Sequence, residues 1–304
     1  MSTDEPAVTI GFFDSGVGGV SVWREVRQRL PGCATLYVAD SEHCPYGPRP
    51  PGQIRRFSRA ITRFLLEHDA ALVVVACNTA SAAALQWLRA RFDVPFVGME
   101  PAVKPAAQQT RTGHIGVLAT RGTVEGELFR NTSARHAGGV MLHVQVGEGL
   151  VECVESGQAE SAETELMLRR YLEPMVQAGV DQIVLGCTHY PFLLPTMRRI
   201  LPASVSVVDP AAAVARQVER LLIERPSLWC TPDFKSGMSG AEGDWHRFFT
   251  TGRPHVLSAL LHRITGQAMR VERIAWRNGR LQIGGTAIPG ECPNCAPLRK
   301  ESEH

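Results

Sequence analysis

From residue 8 to about residue 224, short apolar runs alternate with stretches whose apolar residues recur every three or four positions. That alternation predicts an α/β fold with largely parallel strands, because period-two strands and period-3.6 crossover helices take turns along such a chain. Residues 8–13 read as a strand that ends at Asp14. A glycine-rich turn, Gly16-Val17-Gly18-Gly19, follows, and Val20, Trp23, Val26 and Leu30 mark one face of a helix closed by Pro31-Gly32. Residues 36–39 are a second strand, residues 45–48 a loop holding Tyr46 and Gly47, and residues 54–66 a helix. Residues 71–76 form a buried strand that runs straight into Cys77.

The same plan recurs downstream. Residues 115–118 form a strand ending near Thr120, and residues 182–185 one that leads into Cys187. Ile115 lies 105 positions beyond Ile10 (115 − 10) and Cys187 lies 110 beyond Cys77 (187 − 77), which points to two similar domains with an active site in the cleft between them. Residues 1–98 are read as the first domain and 99–210 as the second. After a strand over residues 205–208, the segment 211–265 returns to the first domain. Residues 226–244, rich in Gly, Ser and Pro, read as a flexible loop, with helical period resuming beyond Pro254. Residues 273–276 and 280–283 flank Asn278-Gly279, a hairpin signal, so 266–304 is expected to be a C-terminal hairpin and a loose tail.

Composition narrows the choice of partner. The 304 residues carry a net charge of only +2, so no global field draws nucleic acid or an anionic membrane. The longest apolar run, residues 70–77, is far too short to span a bilayer. The start holds Asp4 and Glu5 where a secretory signal would be basic, and a cytoplasmic setting is expected. In that setting the eight cysteines are reduced thiols rather than a disulfide frame. Lysine occurs only at 104, 235 and 300, none in a stretch suited to holding pyridoxal phosphate as a Schiff base, and no cofactor is expected. Cys292 and Cys295 make a single CxxC; a zinc site wants four ligands, and no second pair has suitable spacing.

Ligands of open α/β sheets gather at the carboxyl ends of strands, where strand order reverses. Four strands here end in small polar groups: Asp14-Ser15, Cys77-Asn78-Thr79, Thr120 to Thr123, and Cys187-Thr188-His189. A single cysteine after a strand is ordinarily a small buried apolar group. Two at repeat-related positions, each followed by hydroxyl or amide groups, would approach one cleft from opposite sides. That arrangement suits inversion of an amino acid at Cα, where a proton leaves one face and another arrives on the other. The thiols would serve as general base and general acid. A free thiol has a pKa near ~8.5, so each needs a partner to set its proton state: Asp14 in the first half, His189 in the second. Asn78, Thr79 and Thr188 can cap helices and bind an anion together. The glycine turn matches neither a P-loop nor a dinucleotide fingerprint, and is expected to let N–H groups approach a substrate carboxylate. Cys33, Cys44, Cys153 and Cys230 read as packing residues, with Cys44 close to the pocket through its place beside Tyr46-Gly47.

Over roughly residues 8–265 the sequence resembles bacterial glutamate racemases. The likeness is carried, in order, by Phe13-Asp14-Ser15-Gly16-Val17-Gly18-Gly19, Tyr37-Val38-Ala39-Asp40 with Pro45-Tyr46-Gly47, Ala76-Cys77-Asn78-Thr79-Ala80, Gly98-Met99-Glu100-Pro101 and Gly186-Cys187-Thr188-His189-Tyr190-Pro191. The resemblance implies cofactor-independent interconversion of L- and D-glutamate by Cys77 and Cys187, with Asp14 and His189 assisting. It implies substrate contacts from Asp14, Ser15, Tyr46, Gly47, Asn78, Thr79, Thr188 and His189, and a helping glutamate best matched by Glu155. It also implies a role in peptidoglycan synthesis and a homodimer. This chain departs from the family pattern at Gly147-Glu148, where a Cys-Pro pair is usual, and at Gly126, where serine is usual. Three rivals remain: an aspartate or broad-specificity racemase of the same fold; a non-catalytic amino-acid-binding regulatory protein, against which the retention of both cysteines speaks; and, weakest, a metal-binding module built on the terminal CxxC.

Overall fold

The computed structural model describes residues 8–136, 138–229 and 245–284. Two parallel sheets dominate it. The first runs through β1 (Thr9–Asp14), β2 (Ala34–Ala39), β3 (Leu72–Val75) and β4 (Phe96–Gly98). The second holds β5 (His114–Ala119), β6 (Met141–Val146), β7 (Gln182–Gly186) and β8 (Ser206–Val208). The chain then returns to the first sheet with β9 (His246–Thr250), β10 (Val271–Arg277) and β11 (Arg280–Ile283). The orders are β11-β10-β9-β2-β1-β3-β4 and β6-β5-β7-β8, and only the β10–β11 pair is antiparallel. The architecture is the α/β fold expected, two sheets with helices between their strands.

Alternation along β1 shows how the sequence sets the layers. All six of its residues are buried; Ile10 and Phe12 join one apolar core, and Phe13 joins another on the opposite face. The core holding Phe12 and Val74 continues into Leu118, Leu150, Leu185 and Tyr190 of the second half, so the halves share packing behind the cleft. The helix Ala211–Glu224 buries Val214, Ala215 and Val218 and lies along the helix Val20–Arg29.

Three strands escape the sequence pattern: β4, β6 and β9. The terminal hairpin also needs correction. It is no appendage, because β10 pairs in parallel with β9, and β9 with β2, which makes the hairpin the outer edge of the first sheet. The proposed loop beyond residue 229, Cys230, and the CxxC pair at Cys292 and Cys295 lie outside the described residues. No helix among the described residues is long and apolar enough to cross a membrane.

The first residue of β9 ties sheet stability to pH. His246 is buried, and its Nδ1 lies 3.0 Å from the Thr35 hydroxyl, which also accepts the Trp23 indole N–H at 2.8 Å. Burial, reinforced by the nearby Arg27, pushes the imidazole down from 6.5 to about 4. Between those values the unfolded chain binds the extra proton, so this residue makes stability rise with pH from about 4 to about 6.5. Denaturant titrations across that window should show the slope, and His246→Gln should flatten it; an unchanged slope in the variant would contradict the assignment.

Candidate active site

The strand order reverses beside β1 in the first sheet and beside β5 in the second. The residues that follow β1, β3, β5 and β7 therefore sit at the two switch points, and the carboxyl ends of the sheets meet. Thr188, after β7, donates to Asp14 Oδ2 at 3.3 Å, and Thr79, after β3, meets Thr120, after β5, at 2.8 Å.

Asp14 is fully buried, and a bare carboxylate there would cost several kcal/mol. Its oxygens accept the Ser15 and Gly19 N–H groups, each at 2.7 Å, besides the Thr188 hydroxyl. Burial still dominates and raises the carboxyl above its usual range, against the pull of His189, Cys77 and the two amides. Cys77 is the N-cap of the helix Asn78–Arg89, where its sulfur accepts the Ala80 N–H at 3.5 Å and faces the Ser15 hydroxyl at 3.9 Å. Burial pushes this thiol well up, the Asp14 charge adds to the rise, and the Ala80 amide opposes it. The two groups thus compete for one proton in a dry space.

The second wall is built differently. Cys187 Sγ lies 3.7 Å from His189 Nδ1, and His189 Nε2 lies 2.7 Å from Glu155 Oε1. Burial alone would lower the imidazole pKa, but contacts with Cys187, Cys44 and Glu155 outweigh it and hold it well above the ordinary value. Glu155 shows the complementary result: burial raises it, while His189 and the Val17 N–H at 2.7 Å pull it down further. Glu155, His189 and Cys187 form a continuous proton-linked chain. The thiol of Cys44 adjoins it, donating to Glu155 at 3.6 Å, and burial pushes that thiol to about 12.

The glycine turn explains how these side chains reach the first sheet. A Cβ at Gly16 would lie 1.9 Å from Glu155 Oε1, and one at Gly18 would lie 2.4 Å from His189 Nδ1. The expectation that the turn's N–H groups face a substrate carboxylate is corrected here: Val17 donates to Glu155 and Gly19 to Asp14. Asn78 is the free polar group instead. It is buried, and neither its Oδ1 nor its Nδ2 has a hydrogen-bond partner within the protein. Beside it, Thr79, Thr120 and Thr123 form a hydroxyl triangle with edges of 2.8, 2.9 and 3.5 Å that spans both halves. Tyr46 is turned away: its hydroxyl donates to Asp40 at 2.7 Å, while Gly47 lies against Thr120. A cavity of about 470 Å³ opens next to this triangle, bounded by Gly47, Thr79 and Gly122, with Arg49, Arg55, Arg121 and Arg130 around it.

Residues 20–218 match the family model described as Asp/Glu/Hydantoin racemase. The chain belongs to that racemase family. A glutamate racemase of Roseiflexus sp. (strain RS-1) is 46% identical over 272 residues, covering 89% of this chain and 97% of the relative. One from Stutzerimonas stutzeri is 45% identical over 268 residues, covering 88% and 97%. Among solved structures, Escherichia coli glutamate racemase in complex with L-glutamate and the activator UDP-MurNAc-Ala superposes with a TM-score of 0.77. It is 34% identical and covers 92% of this chain and 100% of that one. The departures from the family pattern have local reasons: a side chain at residue 147 would meet the Tyr190 hydroxyl 2.7 Å from its Cβ, and one at 126 would press on Ala82 at 2.6 Å.

Asp40, which enters the sequence reading only as the end of a family motif, holds the loop of Tyr46 in place. This fully buried carboxylate accepts Tyr46 and the Trp276 indole N–H, each at 2.7 Å, and Thr251 at 3.1 Å. It pins the Tyr46-Gly47 loop to β10. Its place directly after β2, a fifth strand end with a polar group, was the available signal. Trp276→Phe should cost about 1.5–3 kcal/mol, the worth of a hydrogen bond to a charged acceptor, in chemical denaturation. A cost under about 0.5 kcal/mol would show that the loop is held by other contacts.

Proposed function

We propose that this protein interconverts L- and D-glutamate by two-sided proton transfer between Cys77 and Cys187. The observation that carries the reading is that each thiol, on its own sheet, has its own proton partner. Asp14, raised by burial, can hold the proton of Cys77, and the amides at the start of the helix Asn78–Arg89 favour the thiolate. His189, oriented by Glu155 through Nε2, exchanges a proton with Cys187 through Nδ1. One thiolate removes the Cα proton from one face while the opposite thiol delivers a proton to the other, and the roles swap with direction.

Substrate binding falls to Asn78, whose amide has both a donor and an acceptor free, to the hydroxyls of Thr79, Thr120 and Thr123, and to Ser15 and Thr188, which face Cys77 and Asp14. Gly47 contributes through its backbone, and Tyr46 supports the loop. Four arginines against Glu125 and Glu127 leave the lining of the adjoining cavity net positive, which would draw in an acidic amino acid. Glutamate is preferred to aspartate on the strength of the relatives, since one methylene is worth only ~1–3 kcal/mol in a pocket. A cytoplasmic homodimer supplying D-glutamate for peptidoglycan completes the reading. No step calls on a cofactor.

Purified protein given either enantiomer of glutamate, without added cofactor, should lose optical rotation; an inert protein would sink the proposal, and activity on aspartate alone would transfer it to the shorter substrate. Cys77→Ser and Cys187→Ser should each slow racemisation by about 10²–10⁴-fold, the usual worth of a positioned acid or base. Full activity in either variant would remove that thiol from the mechanism.

A further inference from the structure

One cluster has more donors than the proton transfers use. Cys44, Glu155 and His189 each turn a ligand atom into the same small space, and the three atoms lie within 4.8 Å of one another. Cys44 comes from the loop after β2, Glu155 from the end of the helix Leu150–Glu155, and His189 from the turn after β7. Three separate elements therefore converge on a point beside the thiol of Cys187.

The spacing fits a tetrahedral cation with three protein ligands and a solvent molecule in the fourth position. Bond lengths of ~2.3 Å to sulfur and ~2.0 Å to nitrogen or oxygen set tetrahedral edges of about 3.5 Å between sulfur and oxygen and about 3.3 Å between nitrogen and oxygen. Cys44 Sγ and Glu155 Oε1 stand 3.6 Å apart, already at that edge. His189 Nε2 and Glu155 Oε1, at 2.7 Å, would open by about half an ångström as a metal replaces their shared proton. The charge also balances: a thiolate, a carboxylate and a neutral imidazole cancel a dication, which a largely buried site requires. A soft sulfur with one nitrogen and one oxygen selects zinc-like ions over magnesium or calcium.

We propose that Cys44, Glu155 and His189 bind a thiophilic divalent cation of the zinc type, and that its binding arrests racemisation. Metal–sulfur, metal–oxygen and metal–nitrogen bonds form, while the Cys44 thiol proton and the proton between His189 and Glu155 pass to solvent. With Nε2 metallated, the remaining ring proton is fixed on Nδ1, the atom facing Cys187. The imidazole can then no longer take a proton from that thiol. Cys44 itself has no part in the proton transfers, so this site regulates rather than catalyses. The arrest rests on the racemase reading above; the binding does not.

Cobalt(II) is the probe for binding and zinc(II) for arrest. Cobalt added to the metal-free, reduced protein without substrate should give one equivalent of tetrahedral cobalt with a thiolate charge-transfer band. Cys77→Ser should keep the band, whereas Cys44→Ser and Cys44→Ala should lose it and bind at least about tenfold more weakly. Zinc should inhibit glutamate racemisation reversibly to chelator, with the inhibition constant raised at least about tenfold by either Cys44 substitution. No thiolate band in the parent protein, or an undiminished band and inhibition in folded Cys44 variants, would overturn the site. Absence of racemisation in metal-free buffer would count against the racemase reading alone, since the cobalt titration is read without turnover.

Discussion

Glu155 and His189 reach the carboxyl edge of the first sheet only because the turn after β1 has no side chains at residues 16 and 18. Everything else in the site follows from that close approach. The backbone of the turn fills the gap: Val17 donates to Glu155 and Gly19 to Asp14, so one short segment orients an acid from each half. Thr188 then bonds Asp14, and Ser21 donates to the Thr188 carbonyl at 3.2 Å, which closes the second half onto the first. A methyl group at Gly18 would stand 2.4 Å from His189 Nδ1, well inside van der Waals contact, and would force these walls apart.

The two walls solve one problem by different physics. A buried thiol resists ionisation, and reversible proton transfer at Cα needs thiol and thiolate within reach of each other in energy. On the Cys77 side the means are desolvation of Asp14, which makes the carboxyl a better proton holder, and the amides of a helix start. On the Cys187 side the means are an imidazole whose protonated form is favoured by a carboxylate. The asymmetry has a structural source. Cys77 caps a twelve-residue helix, whereas Cys187 leads into a turn and the short 3-10 segment Tyr190–Leu193, with less helix dipole to draw on.

Much of this was legible in the chain. Strongly apolar central strands, β1, β3, β5 and β7, announce themselves, and the polar residues at their ends mark the switch points. What stayed hidden had physical reasons. β6 is an edge strand with Met141 and Val144 exposed, so its pattern is not that of a buried run. β9 is five residues long and opens with His246 and Arg247, a poor hydrophobic signal whose burial depends on pairing with β2 from 211 residues earlier (246 − 35). Asp40 reads as one more acidic loop residue until Trp276 arrives from the far edge of the sheet. Glu155 was suggested by family likeness alone, because nothing in Val154-Glu155-Ser156 tells that a glycine turn 138 residues away leaves room for it.

The central claim is that two separate groups handle the proton on the two faces of Cα. It is tested most directly by running the reaction in deuterated water and following hydrogen at Cα in substrate and product during the first turnovers, from each enantiomer. Two thiols on opposite walls predict product that carries solvent deuterium in essentially every turnover while the remaining substrate stays unlabelled. Product that retains the hydrogen its substrate began with would mean a single base reaching both faces, and would contradict the account.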